Sequence, residues 1–580
     1  MSALTGAMAT PRSTMDLDIE KEPEPPISGA ATVVAPSYPP SITNNDIDGE
    51  KAARTSPAQN SDIDSPYSAS LHDSEPTENK PTPSHHAPSL YPVQSHIQHP
   101  TSLPREAAFV AILCTAQLFT QASLGQAIAP LHIIGASFSV SSQPGQLSWF
   151  PAAYSLTVGT FILIAGRLGD LYGHKRFFIA GWIWYGVWSL LCGFAVYVRH
   201  NPVFFDVCRG MQGIGPAFLL PNALAILGRT YEQGRRKEMV FSIFGATAPS
   251  GFVLGAVFAS LFAQLAWWPW AFWSMGILCF VMGAAGFLAI PQTPPPVVDR
   301  EDGFGMWDRT DGWGCLTGVS ALVLVNFAWN QGPVVGWHTP YTYVLLIVGF
   351  IFLAVFAWVE SRASHPLLPM EALTKDTAFV LGCMAAGWSS FGIWVFYSWQ
   401  FLEELRHTTP LLASAQFIPC AFSGLAAALT TGHILHRVGP SVVMMIAMTA
   451  FTTGLVLIST APVGQTYWAQ TFISICIMPW GMDMSFPAAT ILLSDHMRKE
   501  HQGVAASLVN TVINYSVSIG LGFAGTIESR VNKGGEDLLG GYRGAWYMGI
   551  GLAGLGICVS VLFGGSQLRE RRRSIKTIEK

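Results

Sequence analysis

Apolar runs of about twenty residues recur from residue 107 almost to the end of the chain, separated by short polar connectors. A run of that length crosses a hydrocarbon core ~30 Å thick at ~1.5 Å of rise per residue. Fourteen are counted, at 107–131, 147–167, 177–198, 203–228, 239–264, 270–291, 312–331, 340–360, 377–401, 411–434, 440–460, 467–493, 502–525 and 544–565. The seventh departs most from the pattern, since it holds Asn326, Asn330 and Gln331. In lipid each backbone polar group must be satisfied within its own segment, so the runs predict helices and the chain an all-α polytopic membrane protein.

Composition agrees. Half of the residues are hydrophobic and 12% are charged, too little charge to cover a soluble surface. The net charge of -4 hides an asymmetry: residues 1–104 carry thirteen acids against five bases, and the rest of the chain twenty-three against twenty-seven. Those first 104 residues also hold sixteen of the thirty-eight prolines and few large apolar side chains. Such a segment cannot bury enough surface to offset its ordering entropy, which predicts a disordered tail. Ser56-Pro57, Ser65-Pro66 and Thr82-Pro83 are phosphorylation-type dipeptides in what reads as ordinary low-complexity sequence. No cleavable signal is expected, so the first apolar run would act as the uncleaved one.

Lys and Arg set the expected orientation. With the N-terminus inside, the inner connectors carry fourteen basic residues and the outer ones five: Arg199, Arg406, Arg530, Lys533 and Arg543. The tail "RERRRSIK" (569–576) adds five more inside. The positive-inside rule then makes both termini cytoplasmic and the helix count even. Asn514-Tyr515-Ser516 has the form of a glycosylation site but lies within a run. Trp149, Trp267, Trp268, Trp270, Trp337 and Trp468 fall near outer ends, as an aromatic belt would.

One inner connector is more than polar. "GRLGDLYGHKR" (166–176) holds Gly166, Gly169 and Gly173, with Asp170 among Arg167, Lys175 and Arg176. Glycines permit a tight turn and close helix approach. An acid at a membrane face calls for a partner, and the nearby bases are candidates. Such a pair can hold one conformation and release it in another. A second stretch, "GHILHRVGP" (432–440), repeats the seven-residue glycine spacing at Gly432 and Gly439, with Arg437 between, eight runs later. Internal repeats of helix bundles are common in secondary transporters.

At these residues the chain resembles the major facilitator superfamily. "GRLGDLYGHKR" is similar to the family's signature stretch between its second and third helices, although Leu171 and His174 stand where basic residues are usual. "RGMQGIGPAFLLPNALAIL" (209–227) resembles the fourth-helix motif. "GATAPSGFVLGAVFAS" (245–260) resembles the antiporter motif through Gly245, Pro249, Gly251 and Gly255, without the adjacent glycine pair of the fuller pattern. Fourteen runs, "NFAWNQGPVVGW" (326–337) and "WGMDMSFPAA" (480–489) resemble the drug:proton antiporter-2 branch and its fungal aminotriazole-resistance and ammonium-facilitator members. The resemblance implies a major facilitator fold. It divides the chain into a tail (1–104), a six-helix bundle (105–291), two inserted helices (292–376), a second six-helix bundle (377–566) and a basic tail (567–580). It also implies alternating access around a central cavity. A monomer in lipid at the plasma membrane is expected, with a small-molecule substrate, no nucleic acid and no cofactor beyond a proton gradient.

Ionisable groups inside the runs are the candidate working residues. Arg209 lies one turn after Asp206, as a local ion pair or as a coupling charge; the resemblance ties the arginine to proton transfer. Asp483 has no Lys or Arg within a turn, and such a carboxylate can load and release a proton as water reaches it and leaves. Gln117 and Gln121 share a face of the first run, which lines the cavity in this family. Asn222, Asn326, Asn330, Asn510 and Asn514 serve as cavity lining or as glue between helices. Pro249, Gly251, Gly255 and Ala259 give a kink followed by small residues at helical spacing.

Enzyme readings find no support. There is no Gly-x-Ser-x-Gly elbow, no phosphate-cradling loop and no metal-spaced set; the nine cysteines are scattered, and His85-His86 stands alone. Three functions stay open: proton-coupled export of small organic molecules, uptake of a small ion such as ammonium, and a receptor signalling through its tail.

Overall fold

The computed structural model describes residues 102–198, 201–232, 235–291, 305–368, 374–496 and 502–578. The expected disordered tail with its Ser/Thr-Pro dipeptides and His85-His86, and the connector residues Arg199, Arg300, Arg498 and Lys499, lie outside these. Among the described residues the regular structure is helical throughout.

Fourteen helices are long and apolar enough to cross a membrane. They are α1 (Leu103–Ile128), α2 (Pro144–Tyr172), α3 (His174–Tyr197), α4 (Pro202–Thr230), α5 (Met239–Leu265), α6 (Pro269–Ala289), α7 (Gly312–Val335), α8 (Pro340–Glu360), α9 (Lys375–Leu405), α10 (Pro410–Leu435), α11 (Pro440–Thr460), α12 (Gln470–Leu493), α13 (Ser507–Val531) and α14 (Leu538–Gln567). Proline sits at the first turn of many of them, where its missing N–H costs nothing. The last helix continues through the basic tail to Ile578.

The packing repeats with a shift of eight helices. α1 packs along α5, α2 along α4, and α3 against α4 and α6; likewise α9 packs along α13, α10 along α12, and α11 against α12 and α14. Two seams join these bundles, α2 with α13 and α5 with α10, which exchange places under the same shift. α7 lies on α2 and α13 together, and α8 packs on α7. α8 is the most apolar of the set and the least buried, as a helix facing lipid would be.

The connector expected at 166–176 is almost entirely helix. α2 runs on to Tyr172, α3 starts at His174, and Gly173 alone makes the turn at φ 104°. Gly439 does the same between α10 and α11 at φ 82°. Both backbones are strained for any residue with a Cβ. The face carrying these turns is called the basic face below.

The tryptophan belt holds in part. Trp267, Trp270 and Trp468 are exposed, but Trp149 and Trp268 are buried. Trp268 donates to Ser137 Oγ at 2.8 Å and Trp149 to Gln331 Oε1 at 3.1 Å, so these two indoles join helices.

Candidate functional site

Three helices converge near the middle of the α5–α10 seam. α12 carries Pro479 and Pro487, each of which interrupts the helical hydrogen-bond ladder, and Asp483 lies between them. One oxygen of Asp483 is buried without a hydrogen-bond partner, and its side chain enters none of the ion pairs among the described residues. That oxygen lies 2.7 Å from where a Cβ on Gly424 of α10 would stand. The ring of Pro249 on α5 lies 2.8 Å from the same point. Gly424 therefore admits a carboxylate from its own half and a proline from the other. Trp480 and Trp388 flank the place on α12 and α9, and donate to Ser423 Oγ and Ser485 Oγ, both at 3.2 Å.

α1 reaches the same seam through α5. A Cβ at Gly251 or Gly255 would come within 2.2 Å of Leu118 O or 2.1 Å of Ala122 O, so only glycine permits this approach. Gly245, the first glycine of that stretch, faces open space instead. Gln117 and Gln121 on α1 are half-buried and make no hydrogen bond among the described residues, which leaves their amides free for a ligand.

Arg209 is enclosed. It donates from Nε to Phe150 O at 3.0 Å, from one terminal nitrogen to Ser123 O at 2.9 Å and from the other to Gln212 Oε1. Its guanidinium lies 4.6 Å from the Tyr154 ring centroid. The expected local pair with Asp206 does not form: Asp206 accepts from Gln146 Nε2 at 2.6 Å. A guanidinium is planar with donors on several sides, and carbonyls of α1 and α2 surround it more completely than one acid a turn away could. Arg209 thus clamps α1, α2 and α4.

At the α2–α3 turn, Asp170 is paired, but with other partners than expected. Arg229, at the end of α4, reaches its Oδ1 at 3.0 Å, and His174 Nε2 lies 3.3 Å away. Lys175 turns instead to the terminal carbonyls of α6, Phe287 O at 2.9 Å and Ile290 O at 2.5 Å, where the helix dipole favours a cation. Arg167 binds Arg309 O, and Arg176 is exposed. In the second turn Arg437 is exposed and in no ion pair among the described residues, and Gly432 faces open space.

The family model described as Major Facilitator Superfamily matches residues 111–372 and 378–579. The chain belongs to the major facilitator superfamily. It is therefore a membrane transporter, not an enzyme. Several fungal members are similar over most of their length. The "Low affinity ammonium transporter" of Saccharomyces cerevisiae is 66% identical, over 82% of this chain and 92% of that protein. The "Efflux pump terJ" of Aspergillus terreus is 53% identical, over 83% and 91%. The "Aminotriazole resistance protein" of Saccharomyces cerevisiae is 42% identical, over 79% and 84%. Among solved structures, a POT family transporter, PepTSo, superposes with a TM-score of 0.56 at 13% identity, over 82% of this chain and 99% of that one, which speaks to fold alone.

Against the superfamily's two-bundle plan, the expected amides divide. Asn326 and Asn330 fasten the inserted α7 to α13: Ser518 Oγ donates to Asn326 Oδ1 at 2.8 Å, and Asn330 Nδ2 donates to Ser518 O at 3.2 Å. Asn222 lies near the basic face rather than at a central cavity, with its amide nitrogen on Phe218 O at 2.7 Å and Ala165 O at 3.3 Å. Asn510 is buried on α13, and Asn514 donates to Asn510 O at 2.9 Å. His174 and Arg229, which hold Asp170, were not foreseen as its partners, and only the helix ends that meet there could have named Arg229.

Proposed function

We propose that this superfamily member is a proton-coupled secondary transporter that exports small organic molecules by alternating access. Asp483 would serve as the proton-carrying group. The observation that carries this reading is the place of Asp483: a carboxylate with an unpartnered oxygen where α12, α10 and α5 meet, on the seam between the halves. A group there meets water from whichever side the seam opens, and can load on one side and unload on the other. Tryptophans beside it, and the unbonded amides of Gln117 and Gln121 on α1, suit neutral or weakly cationic amphiphiles. The efflux pump and the aminotriazole resistance protein among the relatives support the direction.

A second reading is uptake of a small cation, favoured by the 66% identical ammonium transporter. On either reading the basic face is cytoplasmic, by the excess of Lys and Arg there. Cells lacking and overexpressing the chain decide between them. Radiolabelled methylammonium and a panel of amphiphilic amines and dyes would be followed with and without a protonophore. Export predicts less accumulation of panel members on overexpression, abolished by the protonophore, with methylammonium unchanged. Faster methylammonium entry with an unchanged panel would replace the first reading by the second. No effect on any probe would remove both.

A further inference from the structure

Toward the far face from Asp483, a second carboxyl lies beside the α5–α10 seam among aromatic rings. α9 ends in a π-helical turn, Phe401–Leu405, closed by a bond from Arg406 N to Phe401 O at 3.1 Å. This turn carries two consecutive acids, and they differ. Glu404 is paired across the halves with His132, at 3.0 Å. Glu403 enters no ion pair among the described residues, and its Oε1 is buried without a hydrogen-bond partner. Arg406, the guanidinium nearest in sequence, is drawn elsewhere: it donates to Pro462 O at 3.1 Å and lies over the Phe401 ring. The charge that acts on Glu403 is that of Glu404, of the same sign.

Glu403 stands one turn after Trp399 and beside its indole. Trp399 is 1% exposed, and its indole nitrogen is also buried without a partner. Its ring stacks on Phe417 of α10, with centroids 3.9 Å apart, and meets Phe252 of α5 edge-on at 5.7 Å. Phe252 comes three residues after Pro249, and Phe417 seven before Gly424, so the rings lie about one to two helical turns from Asp483. Both halves thus supply rings around one unbonded acid and one unbonded N–H. Two such groups in one buried place are costly, and a ligand that bonds both recovers the cost. An amine has the right chemistry. Its N–H donates to Glu403 Oε1, an acceptor on its chain takes the Trp399 N–H, and its apolar arm lies on the rings. A divalent metal would want about six oxygens, and an anion would meet two acids.

We propose that Glu403, Trp399, Phe417 and Phe252 form a recognition site for organic ammonium ions, with Glu403 as the residue that selects a cation over a neutral solute. The Trp399–Phe417 stack is closed in the conformation described here. When α5 and α10 part toward the far face, Phe252 leaves with α5, and the indole N–H and the carboxyl come to face the opening. A cationic amphiphile is then held by Glu403 and the rings, a neutral one by the rings alone. This deepens the transport reading by naming a substrate class and rests on it, but the test below follows binding and not flux, so the two fail separately.

The test is equilibrium binding of two dyes to the purified full chain, by fluorescence anisotropy corrected for protein-free micelles. Proflavine is an aromatic cation with amino N–H groups, and Nile red is a neutral aromatic dye. Glu403→Gln should weaken proflavine binding about tenfold or more, as loss of a charge-assisted hydrogen bond does, and leave Nile red within about twofold. Glu403→Asp keeps the charge but withdraws it by one methylene, and should weaken proflavine about threefold. It decides alone if Glu403→Gln does not fold. Glu404→Gln, at the neighbouring acid that His132 already engages, should change proflavine by no more than about twofold. Proflavine that does not bind the native chain, or binds the Glu403 variants unchanged, overturns the proposal. So does an equal loss of both dyes, or a loss from Glu404→Gln as large as that from Glu403→Gln. Binding that depends on Glu403 as stated, in a chain that exports no panel member from cells, keeps the site and removes the export reading.

Discussion

The two seams between the halves are related by the internal repeat, yet they are built differently. The α2–α13 seam is closed along its length: Ser518 Oγ donates to Ala152 O at 2.9 Å, a Cβ at Gly159 would fall 2.7 Å from Tyr515 N, and one at Gly166 would lie 3.3 Å from Ser507 Oγ. It is also strapped from outside by α7, which Asn326, Asn330 and Trp149 fasten to both helices. The α5–α10 seam touches at its middle, Pro249 on Gly424, and toward the far face, where Ser260 and Ser414 Oγ are 2.9 Å apart and Leu411 N donates to Gln264 Oε1 at 3.2 Å. His132 and Glu404, 3.0 Å apart, join the halves nearby. Gly245 and Gly432, toward the basic face, open onto free space. On the proposed alternating-access reading the closed seam would be the hinge and the other the gate, with Asp483 on the gate. The lesson is that the two edges hold equivalent places in the repeat, while α7 lies along the α2–α13 edge.

The largest effect should come from locking the gate. A disulfide between Ser260→Cys and Ser414→Cys needs Cβ atoms ~3.5–4.5 Å apart, which the contact between the two hydroxyls makes feasible. Oxidation should cut transport about tenfold or more, and reduction restore it, because one of two alternating states is removed. A Gly166→Cys/Ser507→Cys bridge across the hinge should leave most of the turnover. Equal loss from both bridges would erase the distinction between the seams.

Next is the clamp inside the first half. Arg209→Lys keeps the charge but loses the planar fork, and should cost about 2–4 kcal/mol in unfolding free energy, read by thermal or denaturant unfolding in detergent. Asp206→Asn retains the acceptor for Gln146 and should cost less than about 1 kcal/mol. Similar costs at both positions would mean that the two residues act as an ion pair after all.

The strap should be weaker. Asn330→Ala removes its bonds to Asn326 and Ser518 and should cost ~0.6–1.7 kcal/mol, the range of polar contacts between membrane helices. If α7 fastens the hinge, the same change should reduce transport less than the gate disulfide does. Smallest of all is Trp468→Ala. This side chain is 70% exposed, and its loss should move stability by no more than about 0.5 kcal/mol.

The helices were legible because a hydrocarbon slab imposes a length on every crossing, and fourteen runs became fourteen spans. Their ends were less so. Leu168 to Tyr172 read as a connector because Asp170 is charged, but a helix end at the membrane face tolerates an acid that Arg229 can reach. The repeat at Gly173 and Gly439 was visible in spacing alone, and positive φ at both explains it. Side-chain partners were the least legible. Asp206 and Arg209 have the spacing of an ion pair, but carbonyls of Phe150 and Ser123, distant in sequence, take the guanidinium. Helical periodicity cannot tell a lining asparagine from a fastening one, and so Asn222, Asn326 and Asn330 could be sorted only once Phe218, Ala165 and Ser518 were placed beside them.

The central claim is that Asp483 carries the coupled proton at the gate. It is tested most directly with the purified chain in vesicles, native or Asp483→Asn, under an imposed pH gradient, using a substrate found in the cell assay. The account predicts that gradient-driven accumulation is lost in Asp483→Asn while exchange of substrate without a gradient continues. Gradient-driven accumulation at the native level in Asp483→Asn would contradict it.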